Sequence, residues 1–210
     1  MPRGEVMTFY LAITGGIASG KTTADNYFKE LGLPVIDSDE IAHNLLKRNT
    51  EVTKQICQLF GQSCILPSGD VNRKELGRLV FNDSEKLKLL NQITHPAIFA
   101  EIKRKKAAIK SGICVVDIPL LFESKQQKYY DASLLIYVPE QVQLERLMRR
   151  DNLDREHAMA KIKSQMSTNM KLKLATYSVA NTGTIEVLQD KLNKILQEVK
   201  EKEDAMSKLS

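Results

Sequence analysis

Residues 13–22 read ITGGIASGKT, with three glycines and a lysine packed into seven residues between an apolar run and an amphipathic one. Glycine weakens any regular element it interrupts, so a cluster this dense marks a backbone path that other residues cannot follow. Gly15-Gly16-Ile17-Ala18-Ser19-Gly20-Lys21-Thr22 fits the spacing G-x-x-x-x-G-K-[ST]. The flanks fit as well. TFYLAIT (8–14) reads as a buried strand, and Ala24, Tyr27, Phe28 and Leu31 form one helical face that Gly32 and Pro34 bring to an end. A glycine-rich turn between strand and helix aims successive backbone N–H groups inward at the positive end of the helix, which makes an anion cradle. Gly16, Ile17, Ala18, Ser19 and Gly20 are therefore expected around the phosphates of a nucleoside triphosphate. Lys21 would bring a positive charge to the terminal phosphates, and the Thr22 hydroxyl suits magnesium, a hard cation that takes oxygen ligands.

Four further apolar runs resemble the first: PVID (34–37), ICVVDI (113–118), SLLIYV (133–138) and YSVAN (177–181). Helical patterns separate them, the last being Ile185, Leu188, Leu192, Ile195 and Leu196 on one face. Alternation of this kind predicts an α/β fold, a five-stranded parallel sheet flanked by helices, with right-handed crossovers. Two intervals exceed a simple crossover. Residues 38–112 hold several helices, with a bend or boundary expected at His95-Pro96 because proline turns the preceding residue away from helical dihedrals. Residues 140–176 read as two helices joined at DNLD, with Asp154 capping the second. The 210 residues suit a single domain: a core at about 8–45, 96–139 and 177–200, a helical substrate-binding insertion at about 46–95, and a lid at about 140–176. The polar tail EVKEKEDAMSKLS is expected to fray, and Met1 and Met7 are alternative starts ahead of the first strand.

In an open parallel sheet, ligands lie beyond the carboxyl ends of the strands. The second strand ends in Asp37-Ser38-Asp39 and the third in Asp117, followed by PLLFE (119–123). An acceptor hydroxyl needs a carboxylate to orient it and take its proton, and Asp37 and Asp39 are the candidates. A capping box, Asp37 with Glu40, is the structural alternative; both hold together if Asp37 caps and Asp39 faces the acceptor. Asp117 resembles the carboxylate that holds a magnesium water, although a strand-end aspartate also caps turns. Arg146, Arg149 and Arg150 either reach phosphates from a lid or form a solvated face.

Composition narrows the rest. Cys57, Cys64 and Cys114 are odd in number and lack CxxC spacing, which argues against a disulfide framework or a zinc site and fits a reducing cytoplasm. No apolar run approaches 18 residues, so no membrane span is expected. The net charge of +5 suits an anionic ligand. KRKKAAIK (103–110) lacks aromatics for stacking on bases and reads as a solvated face, so no nucleic-acid partner is expected. His43, His95 and His157 show no metal spacing. A guanine-reading N-K-x-D segment is missing, which disfavours a GTP switch, whereas another small-molecule kinase would share the donor site. Nothing in the residues fixes an oligomeric state.

The order TGGIASGKTT, LPVIDSDEIAH, FG (60–61), VNRKELGRLVF (71–81), THP (94–96), VVDIPLLFE and QLERLMRRD resembles the dephospho-CoA kinase family over about residues 8–200. The resemblance implies a P-loop kinase of the adenylate-kinase type, using ATP and Mg2+ to phosphorylate the ribose 3′-hydroxyl of dephospho-CoA. It implies that Ala18 to Thr23 hold ATP phosphates, with Thr23 joining the loop residues. Asp39 would serve the acceptor hydroxyl, Arg150 would be the lid arginine, and Asn181 and Gly183 would border the adenine. His95, Leu120 and Glu123 would line the acceptor site. The chain departs from the family's usual pattern at Ala18 (glycine), which is tolerable if its φ is negative. It also departs at His43 (arginine), Asn49-Thr50 (proline-glycine) and Thr176 (aspartate).

Overall fold

The computed structural model describes residues 8–81 and 83–209; Met1 and Met7, the alternative starts, lie outside them. In chain order the elements are β1 (Thr8–Gly15), α1 (Lys21–Glu30), β2 (Val35–Asp37), α2 (Ser38–Leu45), α3 (Glu51–Phe60), α4 (Arg73–Val80) and α5 (Ser84–Ala107). There follow β3 (Gly112–Asp117), β4 (Ala132–Tyr137), α6 (Glu140–Asp151), α7 (Arg155–Lys163), α8 (Thr168–Leu174), β5 (Tyr177–Ala180) and α9 (Ile185–Leu209). Two compact units emerge. One joins the chain up to Ile36 with the chain from Ile109 onward; the other is Asp37–Ala108, wider than the 46–95 stretch marked out in the sequence.

The first unit carries the sheet, in the order β2-β3-β1-β4-β5. All five apolar runs are strands, and β1 pairs in parallel with both β3 and β4. Register explains the core. Leu11 lies opposite Val115 and Ala132, Ile13 opposite Leu134, and Ile136 opposite Val179. Side chains alternate along each strand, so these residues share one face, and there they pack with Ala24 and Phe28 of α1 and Leu188, Leu192 and Leu196 of α9. Ala12, Val116 and Leu135 on the other face are buried too, which is why the strands read as unbroken apolar runs. Ile185 is the exception on the α9 stripe, exposed at the helix start. The tail does not fray where expected: α9 continues to Leu209, with Val199 buried and Met206 packed on the same core. Residues 140–176 hold three helices, not two; Ser167 begins the extra one, α8, by accepting the Met170 N–H. Asp154 caps α7 as expected, accepting the His157 N–H at 2.8 Å.

The second unit is helical, with its own core of Val52, Ile56, Cys64, Val71, Leu76 and Val80. Each helix here starts on a side-chain cap: Asp37 for α2, Thr50 for α3, Asn72 for α4 and Asp83 for α5. Asn49 takes a φ of 65°, the left-handed turn a glycine would make, so Asn49-Thr50 does the work of a turn and a cap together. The expected boundary at His95-Pro96 is absent, because α5 runs unbroken through Pro96. Proline forfeits one intrahelical donor and crowds the Gln92 carbonyl, while the 24-residue helix keeps its ladder on either side. Proline is among the costliest helix-interior residues, so Pro96→Ala is expected to stabilise α5 by up to about 3 kcal/mol. The check is a higher urea midpoint for the variant; an unchanged or lower midpoint would show that the surroundings already compensate for the proline.

Candidate active site

β1 delivers the chain to the glycine turn at the carboxyl edge of the sheet, and α1 leaves it. Gly20 sits at the N-cap of α1 with a φ of 87° and offers no side-chain oxygen to the first turn. A Cβ there would also collide with the Asn181 carboxamide. At Gly15, a Cβ would come within 2.8 Å of the Ile136 carbonyl oxygen, so the turn could not lie this close to β4. The turn closes on itself through Ser19 N–H to Gly16 O at 3.1 Å and Thr23 N–H to Gly20 O at 3.0 Å. The condition set for Ala18 fails. Its φ is +58°, not negative, which costs an L-residue roughly 1–2 kcal/mol. Part of that is offset by contact with the apolar cluster of Leu144, Leu147, Ala158 and Ile162 in α6 and α7.

Three side chains hold the turn from outside. Gln143 Nε2 donates to Ile17 O at 2.8 Å, and Gln165 Oε1 accepts the Ile17 N–H at 3.0 Å. Asn181 Nδ2 donates to Ser19 O at 2.9 Å. Asn181 is placed by its own N–H on Tyr137 O, and Arg146 donates to its carbonyl at 3.0 Å. Among the three candidate arginines, Arg146 is therefore the one beside Gly20 and Asn181. Arg150 is half-exposed and grips Asp151 through two hydrogen bonds, holding that carboxyl down at about 2. Gly183 follows β5 in the loop before α9, where an added Cβ would meet Val187 at 3.1 Å.

Lys21 Nζ reaches two buried carboxylates: Asp117 at the end of β3, in very close contact, and Asp25 at 3.3 Å on the next turn of α1. Burial opposes the charge on Lys21, but the two carboxylates outweigh it and raise its pKa. Asp117 is raised as well, to about 7, first by burial and next by the Asp25 carboxylate, against the pull of Lys21. These shifts agree with each other: one ammonium cannot neutralise two buried carboxylates, so the group holds a surplus negative charge. Asp117 Oδ1 is buried without a hydrogen-bond partner among the described residues, an oxygen suited to a cation or its water. No cluster of three or more metal-binding side chains occurs among the described residues. Magnesium keeps its waters and takes one or two protein ligands plus phosphate oxygens, so the fit rests on the Asp117 Oδ1 atom alone.

On the acceptor side of the sequence reading, Leu120 is exposed at the turn after β3. Glu123 Oε1 forms an ion pair with Lys171 Nζ at 2.8 Å and accepts the Met166 N–H at 3.0 Å. In the helical unit, Asp37 Oδ1 accepts from the Asp39 and Glu40 N–H groups at 2.8 and 3.0 Å, which makes it the cap. His95 lines an apolar cavity of about 180 Å³ with Leu45, Leu46, Leu76, Leu90 and Thr94. His43 Nδ1 lies 3.4 Å from Arg73. Sequence reasoning missed Asp25, whose i+4 spacing from Lys21 on a buried helix face was a usable signal. It also missed Gln143, Gln165 and Lys171, which no local pattern distinguishes.

A parallel sheet whose first strand feeds a glycine turn, with a lysine and a threonine opening the next helix, defines a P-loop nucleotide-binding fold, and the relatives make it a P-loop kinase. The profile of the dephospho-CoA kinase family matches residues 9–186. A dephospho-CoA kinase of Lactobacillus johnsonii is 44% identical over 196 residues, covering 92% of this chain and 99% of that protein. A crystal structure of a Thermus thermophilus protein superimposes with a TM-score of 0.79 at 31% identity, covering 91% of this chain and 97% of that one. A Campylobacter jejuni dephospho-CoA kinase does so with a TM-score of 0.65, again at 31% identity and with the same coverage of both chains. The chain belongs to the dephospho-CoA kinase family.

The surplus charge around Lys21 has a measurable effect. Because the folded-state pKa of Asp117 lies above its ordinary value, its contribution favours the fold at low pH and is lost as pH rises through about 7. Asp117→Asn removes the penalised charge. The variant is expected to melt higher than wild type at about pH 8, with the gain shrinking toward about pH 5, where the native carboxyl is already protonated. Calorimetric melting across that range checks it; a variant less stable at the alkaline end would show that the Lys21 pair outweighs the surplus charge.

Proposed function

We propose that this kinase transfers the γ-phosphoryl group of ATP to the ribose 3′-hydroxyl of dephospho-CoA, giving CoA and ADP, the last step of coenzyme A synthesis. The observation that carries the reading is the family match spanning both the phosphate loop and the helical unit. Phosphoryl transfer needs positioning and charge neutralisation more than covalent chemistry from the protein. In this reading Gly16 to Thr23 cradle the phosphates, Lys21 turns from its carboxylates toward the terminal phosphate, and Asn181 and Gly183 border the adenine. Thr22 and Asp117 would hold Mg2+, whose charge would offset that of the phosphates. Asp39 orients the acceptor hydroxyl and takes its proton, leaving Asp37 to cap α2. His95, Leu120 and Glu123 line the acceptor, and the apolar cavity beside His95 suits a long ligand with an apolar arm.

Arg150 is the lid arginine in this reading, and it must leave Asp151 to serve; Arg146, already beside Gly20, supports a second cationic contact. The reading places this work in the cytoplasm, on a small molecule, where thiols such as Cys57, Cys64 and Cys114 stay reduced rather than disulfide-bonded. Arg104 of the KRKK run is engaged with Glu101, which supports the solvated-face reading over a nucleic-acid contact.

ADP release from MgATP is expected with dephospho-CoA and not with AMP or CMP; equal rates with all three acceptors would move the reading to another small-molecule kinase. Lys21→Ala is expected to lower turnover by roughly 10²–10³, the scale of losing one transition-state donor, and near-normal turnover would remove Lys21 from its role. Asp39→Asn should reduce turnover far more than ATP affinity. Steady-state kinetics together with nucleotide calorimetry separate the two effects, and a loss confined to ATP binding would reject Asp39 as the base.

A further inference from the structure

Lys171 is the most deeply buried charged side chain among the described residues, 1% exposed on α8. Taking an ammonium out of water is costly, and an apolar residue of similar volume would serve packing as well or better. Its partner is Glu123, in the turn that follows β3 and Asp117. The Glu123 Oε1 atom that meets Lys171 also accepts the Met166 N–H. The residue before Met166 is Gln165, whose Oε1 accepts the Ile17 N–H of the phosphate loop. The residue after it is Ser167, which caps the helix bearing Lys171. One tripeptide is thus tied to the phosphate loop by its first side chain, to the β3 turn by its middle N–H, and to α8 by its last side chain.

The Ile17 contact falls at a sensitive place. Ile17 precedes Ala18, the non-glycine residue with a φ of +58°. Gln165 holds the Ile17 N–H, and Gln143 holds its carbonyl, which belongs to the peptide leading into Ala18. A strained φ persists only where its surroundings over-determine it. We propose that Glu123, fixed by buried Lys171, acts through the Met166 N–H to seat Gln165 on the Ile17 N–H, so that this clamp sets the phosphate loop in its nucleotide-binding form. Glu123 and Gln165 are positioning residues here. Glu123 Oε2 is buried without a hydrogen-bond partner among the described residues and takes no part in the clamp. The inference rests on the reading of the loop as the nucleotide site.

The test is a mutant cycle read by calorimetric titration with ADP, alongside melting temperature and the KM for dephospho-CoA. Gln165→Ala removes the contact to Ile17. Glu123→Ala combined with Lys171→Met removes the anchor without stranding a buried charge, which keeps the fold intact. Each is expected to weaken ADP about tenfold, the equivalent of one good hydrogen bond, with the KM for dephospho-CoA unchanged for Gln165→Ala. Because Glu123 acts through Gln165, the triple variant should also lose about tenfold rather than about a hundredfold. Independent, multiplying losses overturn the clamp, as does ADP affinity within about twofold of wild type in either variant, or a loss in Gln165→Ala that merely follows a fall in melting temperature. Wild-type protein that binds ADP while the variants behave like it overturns the clamp alone; wild-type protein that binds no ADP overturns the nucleotide-site reading and the clamp with it.

Discussion

Backbone N–H groups can converge on an anion only if the chain turns tightly and no Cβ stands in the way. That constraint governs residues 15–22. It sets glycine at Gly15, where β4 presses close, and at Gly20, where φ is 87° and Asn181 blocks a side chain. It also places the start of α1 at the carboxyl edge of the sheet, so that the helix N-terminus and the loop amides add their partial positive charges at one point. The turn would not hold this shape unaided, since Ala18 is strained within it. Gln143, Gln165 and Asn181 supply the restraint, each from a segment far along the chain, and so the tertiary fold specifies the loop as much as its own sequence does.

The same edge of the sheet concentrates charge in a way that opposes stability. Lys21 faces Asp117 and Asp25 together, and the second carboxylate leaves Asp117 raised despite its lysine neighbour. A protein built only for stability would carry an amide or an apolar residue at one of these positions. On the proposed reading, a site that accepts phosphates with a counter-cation would gain from the surplus, because the carboxylate would give the cation a ligand and the lysine a place to rest. Such local cost at a functional site is the usual form of the trade between stability and activity. The well-packed sheet core, where Leu11, Ile13, Leu134 and Ile136 are fully buried, is what lets the fold bear it.

What the sequence disclosed was local in origin. The five strands appeared as apolar runs because both sheet faces are covered, and the caps Asp37 and Asp154 appeared because capping depends on residues three apart. What it hid depends on distant partners. Nothing near Lys171 announces a buried lysine, since Glu123 lies 48 positions earlier. Pro96 looked like a boundary because the local rule for proline is strong, yet a long helix with neighbours on its flanks tolerates one missing donor. The tail looked polar because its solvent face is polar; Val199 and Met206 on the inner face decide its fate. Ala18 carries the same lesson in reverse. Alanine suggests an ordinary φ, and the surrounding contacts override it.

The departures from the family pattern also differ in how the fold absorbs them. Thr176 is compensated on the spot: its hydroxyl accepts the Ser133 N–H at 3.1 Å, while its own N–H donates to the Ser133 hydroxyl at 3.0 Å, closing β4 onto the chain entering β5. Asn49-Thr50 is compensated within one turn by a left-handed asparagine and a capping hydroxyl. Ala18 is met by restraint from the helices beyond the sheet, with its side chain packed against the cluster of Leu144, Leu147, Ala158 and Ile162 and its neighbouring peptide held by two glutamines. A substitution repaired next door leaves the rest of the molecule unchanged. One repaired from α6 and from the segment before α8 ties the phosphate loop to those helices, and the loop then cannot move independently of them.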